Sequence, residues 1–181
     1  IDNYRDGVFE AFEIPNHPSD PSAGSREVMF GREIYIDEAD FLEDPPRRFF
    51  RLSPGREVRL RYAYYVTCVG VDRDSSGDIS TIHCTYDPDS RGGGTPDKRK
   101  VKGTLHWVSA AHALQAQARL YEPLFYSTNP MEDSNIELTD QLNAKSRTVI
   151  QNAKLEFSLQ HASVGTRVQL ERIGYFCVDP D

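Results

Sequence analysis

The 181-residue sequence predicts a mainly β protein. Three observations carry that reading. Proline and glycine, 11 and 12 residues, interrupt the chain often, and the stretches between them are short and rich in β-branched and aromatic residues. Several of those stretches alternate apolar and polar residues at the period of a strand. Strands this short suit barrels.

Taken in order along the chain, residues 15–24 hold three prolines in ten positions and read as an extended connector. Residues 34–36 form a strand. The acidic run 37–44 fits one short helix, stopped by Pro45 and Pro46. The longest alternation is 57–69, read as a single strand. Val58, Leu60, Tyr62, Tyr64, Val66 and Cys68 fall on its core face, and Glu57, Arg59, Arg61, Ala63, Tyr65, Thr67 and Val69 on the other. Residues 74–78 have turn composition and join this strand to the next, 79–86, as a hairpin. The segment 88–100, with Gly92, Gly93 and Gly94, is expected to be an exposed, mobile loop. A strand follows at 101–108. At 109–121 the Ala, Leu and Gln content favours a helix, whereas the position between strands favours a strand; propensity tips the reading to helix. A last clear strand spans 174–178.

Composition excludes several classes. Apolar residues make up 38% of the chain, mean hydropathy is −0.58, and no run approaches the roughly 20 apolar residues of a membrane helix. A membrane partner is therefore not expected. An aromatic content of 10% belongs to a folding chain rather than a disordered one. Cys68, Cys84 and Cys177 form neither a disulfide framework nor a metal signature, which indicates a reducing, cytoplasmic setting. The start at Ile1, with no initiator methionine and no signal peptide, reads as the cut end of a longer protein.

Residues 72–77 imitate the opening of a calcium loop, but His83 stands where the twelfth position requires a bidentate Glu, so the hairpin reading wins. The histidines and cysteines lack zinc-ligand spacing. Nucleophile-elbow, phosphate-loop and metalloprotease signatures are also missing. No catalytic residue, metal or cofactor is expected in this stretch of chain.

A formal net charge of −7 argues against nucleic acid. Its distribution argues the other way. Between residues 47 and 61 lie Arg47, Arg48, Arg51, Arg56, Arg59 and Arg61 with Glu57 as the single acid, a local charge of +5. Guanidinium pairs bidentately with phosphates and base edges and stacks on bases. Arg59 and Arg61, two apart in the expected strand, would share a face about 7 Å apart. Phe49, Phe50 and Tyr65 offer stacking surfaces. The plainer alternative is that these arginines pair with the acidic run 37–44; the residues alone do not decide between the two.

The residues also carry a resemblance. The blocks 31–41 (GREIYIDEADF), 55–61 (GREVRLR), 84–87 (CTYD), 101–114 (VKGTLHWVSAAHAL) and 171–177 (ERIGYFC) resemble, in the same order, the C-terminal anticodon-binding region of glutaminyl-tRNA synthetases. The resemblance covers nearly the whole chain, with 130–162 as its variable part. It implies an all-β fold of two six-stranded β-barrels of the ribosomal protein L25-like type with exchanged N-terminal strands. One barrel would comprise 1–35 plus 115–181, from both chain ends, and the other 36–114, from the middle. It also implies that 114–125 is largely strand, against the propensity reading.

By that resemblance the partner is tRNA, held by its anticodon loop, together with the catalytic domain of the parent enzyme; that parent would be a cytoplasmic monomer that joins glutamine to tRNA with ATP and Mg. Carried over by position, Arg51 matches the arginine that reads the third anticodon base, and Arg59 and Arg61 the pair near the first base. Gln169 and Arg172 match residues around the middle uridine. A carboxamide offers the donor and acceptor that a uracil edge requires. Phe50 and Ser19 depart from the bacterial pattern, which has a lysine and an asparagine there. The rivals are the same domain of a glutamyl-tRNA synthetase and a free-standing L25-like protein that binds ribosomal RNA.

Overall fold

The structure, a computed structural model, describes residues 1–132 and 135–180. It is all-β. Its strands are β1 (Glu10–Pro15), β2 (Ser25–Phe30), β3 (Ile34–Tyr35), β4 (Glu57–Leu60), β5 (Tyr65–Arg73), β6 (Ile79–Asp87), β7 (Thr104–Leu105), β8 (Val108–Ser109), β9 (Leu114–Tyr121), β10 (Arg147–Leu155), β11 (Arg167–Leu170) and β12 (Gly174–Cys177). Among the described residues there is no α-helix, only short 3-10 turns.

The chain forms two compact units. The larger contains Ile1–Ala113 and the chain from Glu156 onward, and the smaller is Leu114–Leu155. In the larger unit a four-stranded sheet runs in the order β6-β5-β4-β7, antiparallel except for the β4–β7 pair. Hairpin β1–β2, with the proline-rich 15–24 segment as its link, the pair β3–β8 and hairpin β11–β12 complete this unit.

Its core is aromatic. Phe30, fully buried, has Tyr4, Tyr64 and Trp107 with ring centroids 5.1, 5.3 and 5.2 Å away, at edge-to-face or tilted angles. Phe12 and Ile14 of β1, and Val28 and Phe30 of β2, alternate inward toward that cluster. The same period-two signal lay in the sequence at 12–14 and 28–30 but in runs too short to separate from the connector.

Four readings need correction. The 57–69 alternation is not one strand. Residues 61–64 turn the chain back, with Leu60 N donating to Tyr64 O at 2.8 Å and Tyr62 at φ 60°. A four-residue interruption preserves parity, so Val58, Leu60, Tyr64, Val66 and Cys68 are buried as the pattern indicates, but Tyr62 is only half-buried in the turn, and Ala63 and Tyr65, expected on the opposite face, are buried too. The consequence is that Arg59 lies on β4 while Arg61 lies in the turn.

The helix favoured at 109–121 is instead β8, a turn and β9, whose Leu114, Ala116 and Ala118 alternate with exposed Gln115 and Gln117. β10 supplies the partner ladder, and pairing outweighs a weak local preference. The acidic run yields only one 3-10 turn, Glu38–Asp40, capped by the Asp37 carboxylate accepting from Ala39 N at 2.9 Å. Finally, the 88–100 loop is tied down at several points. Ser90 Oγ accepts from Tyr65 N at 2.7 Å, and the Arg99 guanidinium bridges Glu57, Asp97 and Asp87.

In the smaller unit β9 and β10 pair antiparallel, with a register shift between Ile150 and Ala153 and a bridge between Phe125 and Leu142.

Candidate nucleic-acid interface

The site is built around Asp40, the last residue of the 3-10 turn and 3% exposed. Arg51 Nε donates to its Oδ1 at 2.9 Å, and Arg172 Nη2 donates to the same oxygen at 2.6 Å. Each guanidinium has a second anchor: Arg51 Nη1 donates to Phe50 O at 2.9 Å, and Arg172 Nη1 to Thr104 O at 2.8 Å. Arg172 reaches this position from the tip of hairpin β11–β12, in a left-handed backbone conformation at φ 66°. Ala39, Asp40, Arg48, Phe49, Phe50, Arg51 and Arg172 line a cleft of about 610 Å³.

Thr104 extends the group. Its Oγ1 accepts from Arg59 Nε at 3.2 Å and Nη2 at 3.0 Å, while its carbonyl holds Arg172. Beside Arg172, Glu171 Oε1 lies 2.5 Å from Arg61 Nη1. Arg61 also lies over the Tyr62 ring, 4.9 Å from its centroid, and its carbonyl accepts from Trp107 Nε1 at 3.0 Å. Four of the five sequence-selected residues are therefore linked through Asp40, Thr104 and Glu171. Gln169 is exposed on β11, directly across from Tyr175, which is 83% exposed.

The simpler alternative for the arginines of 47–61 is partly realised, since Arg51 does pair with Asp40 of the acidic run. Even so, Arg51 Nη2 and Arg172 Nε have no protein acceptor among the described residues. Half-exposed donors held by a buried carboxylate are thus presented outward, where bare surface pairs would be consumed by solvent. Asp40, Thr104 and Glu171 were not singled out by the sequence; only the acidic run hinted at the first.

The proposed stacking rings divide. Phe50 is 44% exposed, lines the cleft with Phe49, and has Lys102 Nζ 5.3 Å from its ring centroid. Tyr65 is instead buried beneath the Arg99 guanidinium, 5.3 Å away, with its hydroxyl donating to Gly93 O, so no base can stack on it. The calcium-like segment is a hairpin turn, with Asp74 Oδ1 accepting from Ser76 N and Asp78 N. Among the described residues no group of three or more His, Cys, Asp or Glu is arranged to hold a metal.

Planar guanidiniums fixed side by side next to partly exposed phenyl rings suit unstacked nucleotides, whose base edges and faces are both open. Residues 1–87 and 104–179 match the two family models of the anti-codon binding domain of class I tRNA synthetases (E and Q). The chain belongs to that family. It is 50% identical over its full length to the glutamine–tRNA ligase of Bradyrhizobium diazoefficiens, 44% identical over 179 residues to that of Clostridium kluyveri, and 46% identical over 182 residues to that of Rhodopirellula baltica. It spans about a third of the length of these relatives (32%, 32% and 30%).

Proposed function

We propose that this chain is the anticodon-binding region of a glutamine–tRNA ligase and recognises the anticodon loop of the glutamine tRNA. The observation that carries the reading is the convergence of Arg51 and Arg172 on Asp40 in one cleft beside Phe50. Arg51 reads the third anticodon base, Gln169 and Arg172 the middle uridine, and Arg59 and Arg61 the first base. Exposure of Gln169 and the outward donors of the two cleft arginines support these assignments.

The strands are those of two six-stranded β-barrels. The parent enzyme is a cytoplasmic monomer whose own catalytic domain uses ATP and Mg to attach glutamine. All three relatives named above are glutamine enzymes, although the matched family spans the glutamate enzymes as well.

Alanine at Arg51 or at Gln169 in the full-length enzyme is expected to cost about 1–3 kcal/mol of tRNA binding and to relax selectivity at the third or the middle base respectively. A loss shared evenly by all anticodon variants would show phosphate contact instead. Charging of glutamate alone by the full-length enzyme would overturn the assignment to the glutamine enzyme.

A further inference from the structure

We propose that Asp40 is the positioning residue of the interface: its buried carboxylate locks Arg51 and Arg172 together, so that the third and middle anticodon bases are read by one coupled element. The inference rests on the anticodon reading above and adds a residue and a coupling to it.

Arg51 and Arg172 are 121 positions apart and bring like charges to one oxygen atom. Two guanidiniums that close repel each other unless an anion lies between them. Asp40 is that anion. Its other oxygen, Oδ2, is buried and accepts no hydrogen bond, so both cations compensate the charge through Oδ1 alone. A buried carboxylate with so little other support holds its partners strongly, because losing either leaves part of the charge unpaired.

The mount is rigid as well. Asp40 N donates to Asp37 O at 2.9 Å, and Asp40 O accepts from Leu52 N at 3.0 Å, which ties the turn to the residue next to Arg51. With a second anchor on each guanidinium, both planes are fixed before any ligand arrives. Pre-set donors discriminate among base edges better than mobile ones, since less ordering accompanies binding. Neither Arg59 nor Arg61 touches Asp40: Arg59 meets Arg172 only through Thr104, and Arg61 is held by Glu171 and Tyr62.

The test uses the full-length enzyme and glutamine tRNA transcripts altered singly at each anticodon base, with binding measured for each. Asp40→Asn keeps the shape and removes the charge. It is expected to reduce discrimination at both the third and the middle base about tenfold while leaving first-base discrimination unchanged. A structural role alone would lower affinity for every transcript equally, together with the unfolding midpoint, and that result overturns the proposal.

A second measurement does not require the Asp40 variant to fold. Arg51→Ala is expected to relax the middle base as well as the third, and Arg51→Ala combined with Arg172→Ala is expected to lose less than the product of the two single losses. Strict multiplicativity, with each arginine affecting its own base only, overturns the coupling and leaves the anticodon reading intact. No effect of either arginine on any base would overturn that reading too.

Discussion

Gly103 connects the packing of the sheet to the cleft, and its replacement by alanine tests that connection. A Cβ at this position would lie 2.9 Å from the Phe50 carbonyl oxygen and 2.9 Å from Val58 Cγ1. Neither neighbour yields easily. Val58 is fully buried in β4, and the Phe50 carbonyl belongs to the backbone that carries Arg51. On the other side, Gly103 O accepts from Arg59 N at 2.9 Å, so Gly103 cannot retreat without loosening β4.

Overpacking of this kind costs about 1–3 kcal/mol. For a chain of this size that corresponds to an unfolding midpoint lowered by about 2–12 °C. The functional effect follows from the anchor: Phe50 O also accepts from Arg51 Nη1, so a displaced carbonyl re-aims the guanidinium. Thermal and urea unfolding measure the first effect, and binding of third-base tRNA variants measures the second. An unchanged midpoint with unchanged third-base discrimination would refute the argument from close packing.

Other substitutions probe separate features. Phe30→Ala removes the ring at the centre of the aromatic cluster and is expected to cost about 3–5 kcal/mol by urea unfolding; a loss under about 1 kcal/mol would mean the cluster repacks freely. Ser90→Ala strands Tyr65 N, which Ser90 Oγ accepts, and is expected to cost about 1–3 kcal/mol. His83 bridges Asp72 and Asp2 through its two ring nitrogens, at 2.8 and 3.0 Å, and those hydrogen bonds raise its pKa above the ordinary 6.5. Its contribution to stability is therefore complete below about pH 6.5 and is lost as pH rises through the raised value. An NMR titration of His83 gives the midpoint directly, and one at or below 6.5 would disprove the bridge.

How far the sequence reached differs from residue to residue. The burial of Val58, Leu60, Val66 and Cys68 was legible because parity survives a four-residue turn. The turn itself was not, since Arg61-Tyr62-Ala63-Tyr64 holds neither glycine nor proline and Tyr62 takes its left-handed conformation under the pull of the β4–β5 pairing. Strand β9 was misread on propensity because its partner residues in β10 lie 26 to 41 positions away, beyond any local signal. Among the site residues, Arg51, Arg59, Arg61, Gln169 and Arg172 were chosen from their chemistry and from family resemblance. Asp40 looked like one acid in a run of several.

By itself the sequence determined the class of fold and the chemistry available at the surface, because alternation, turn residues and the clustering of arginine are local properties. Which of those arginines share one carboxylate was decided only by the tertiary structure. Arg51 and Arg172 meet because β11–β12 is folded so that its tip lies beside the Asp40 turn. Only there, buried beside two guanidiniums, does a carboxylate attract strongly enough to set their arrangement; the same acid exposed to water would hold neither.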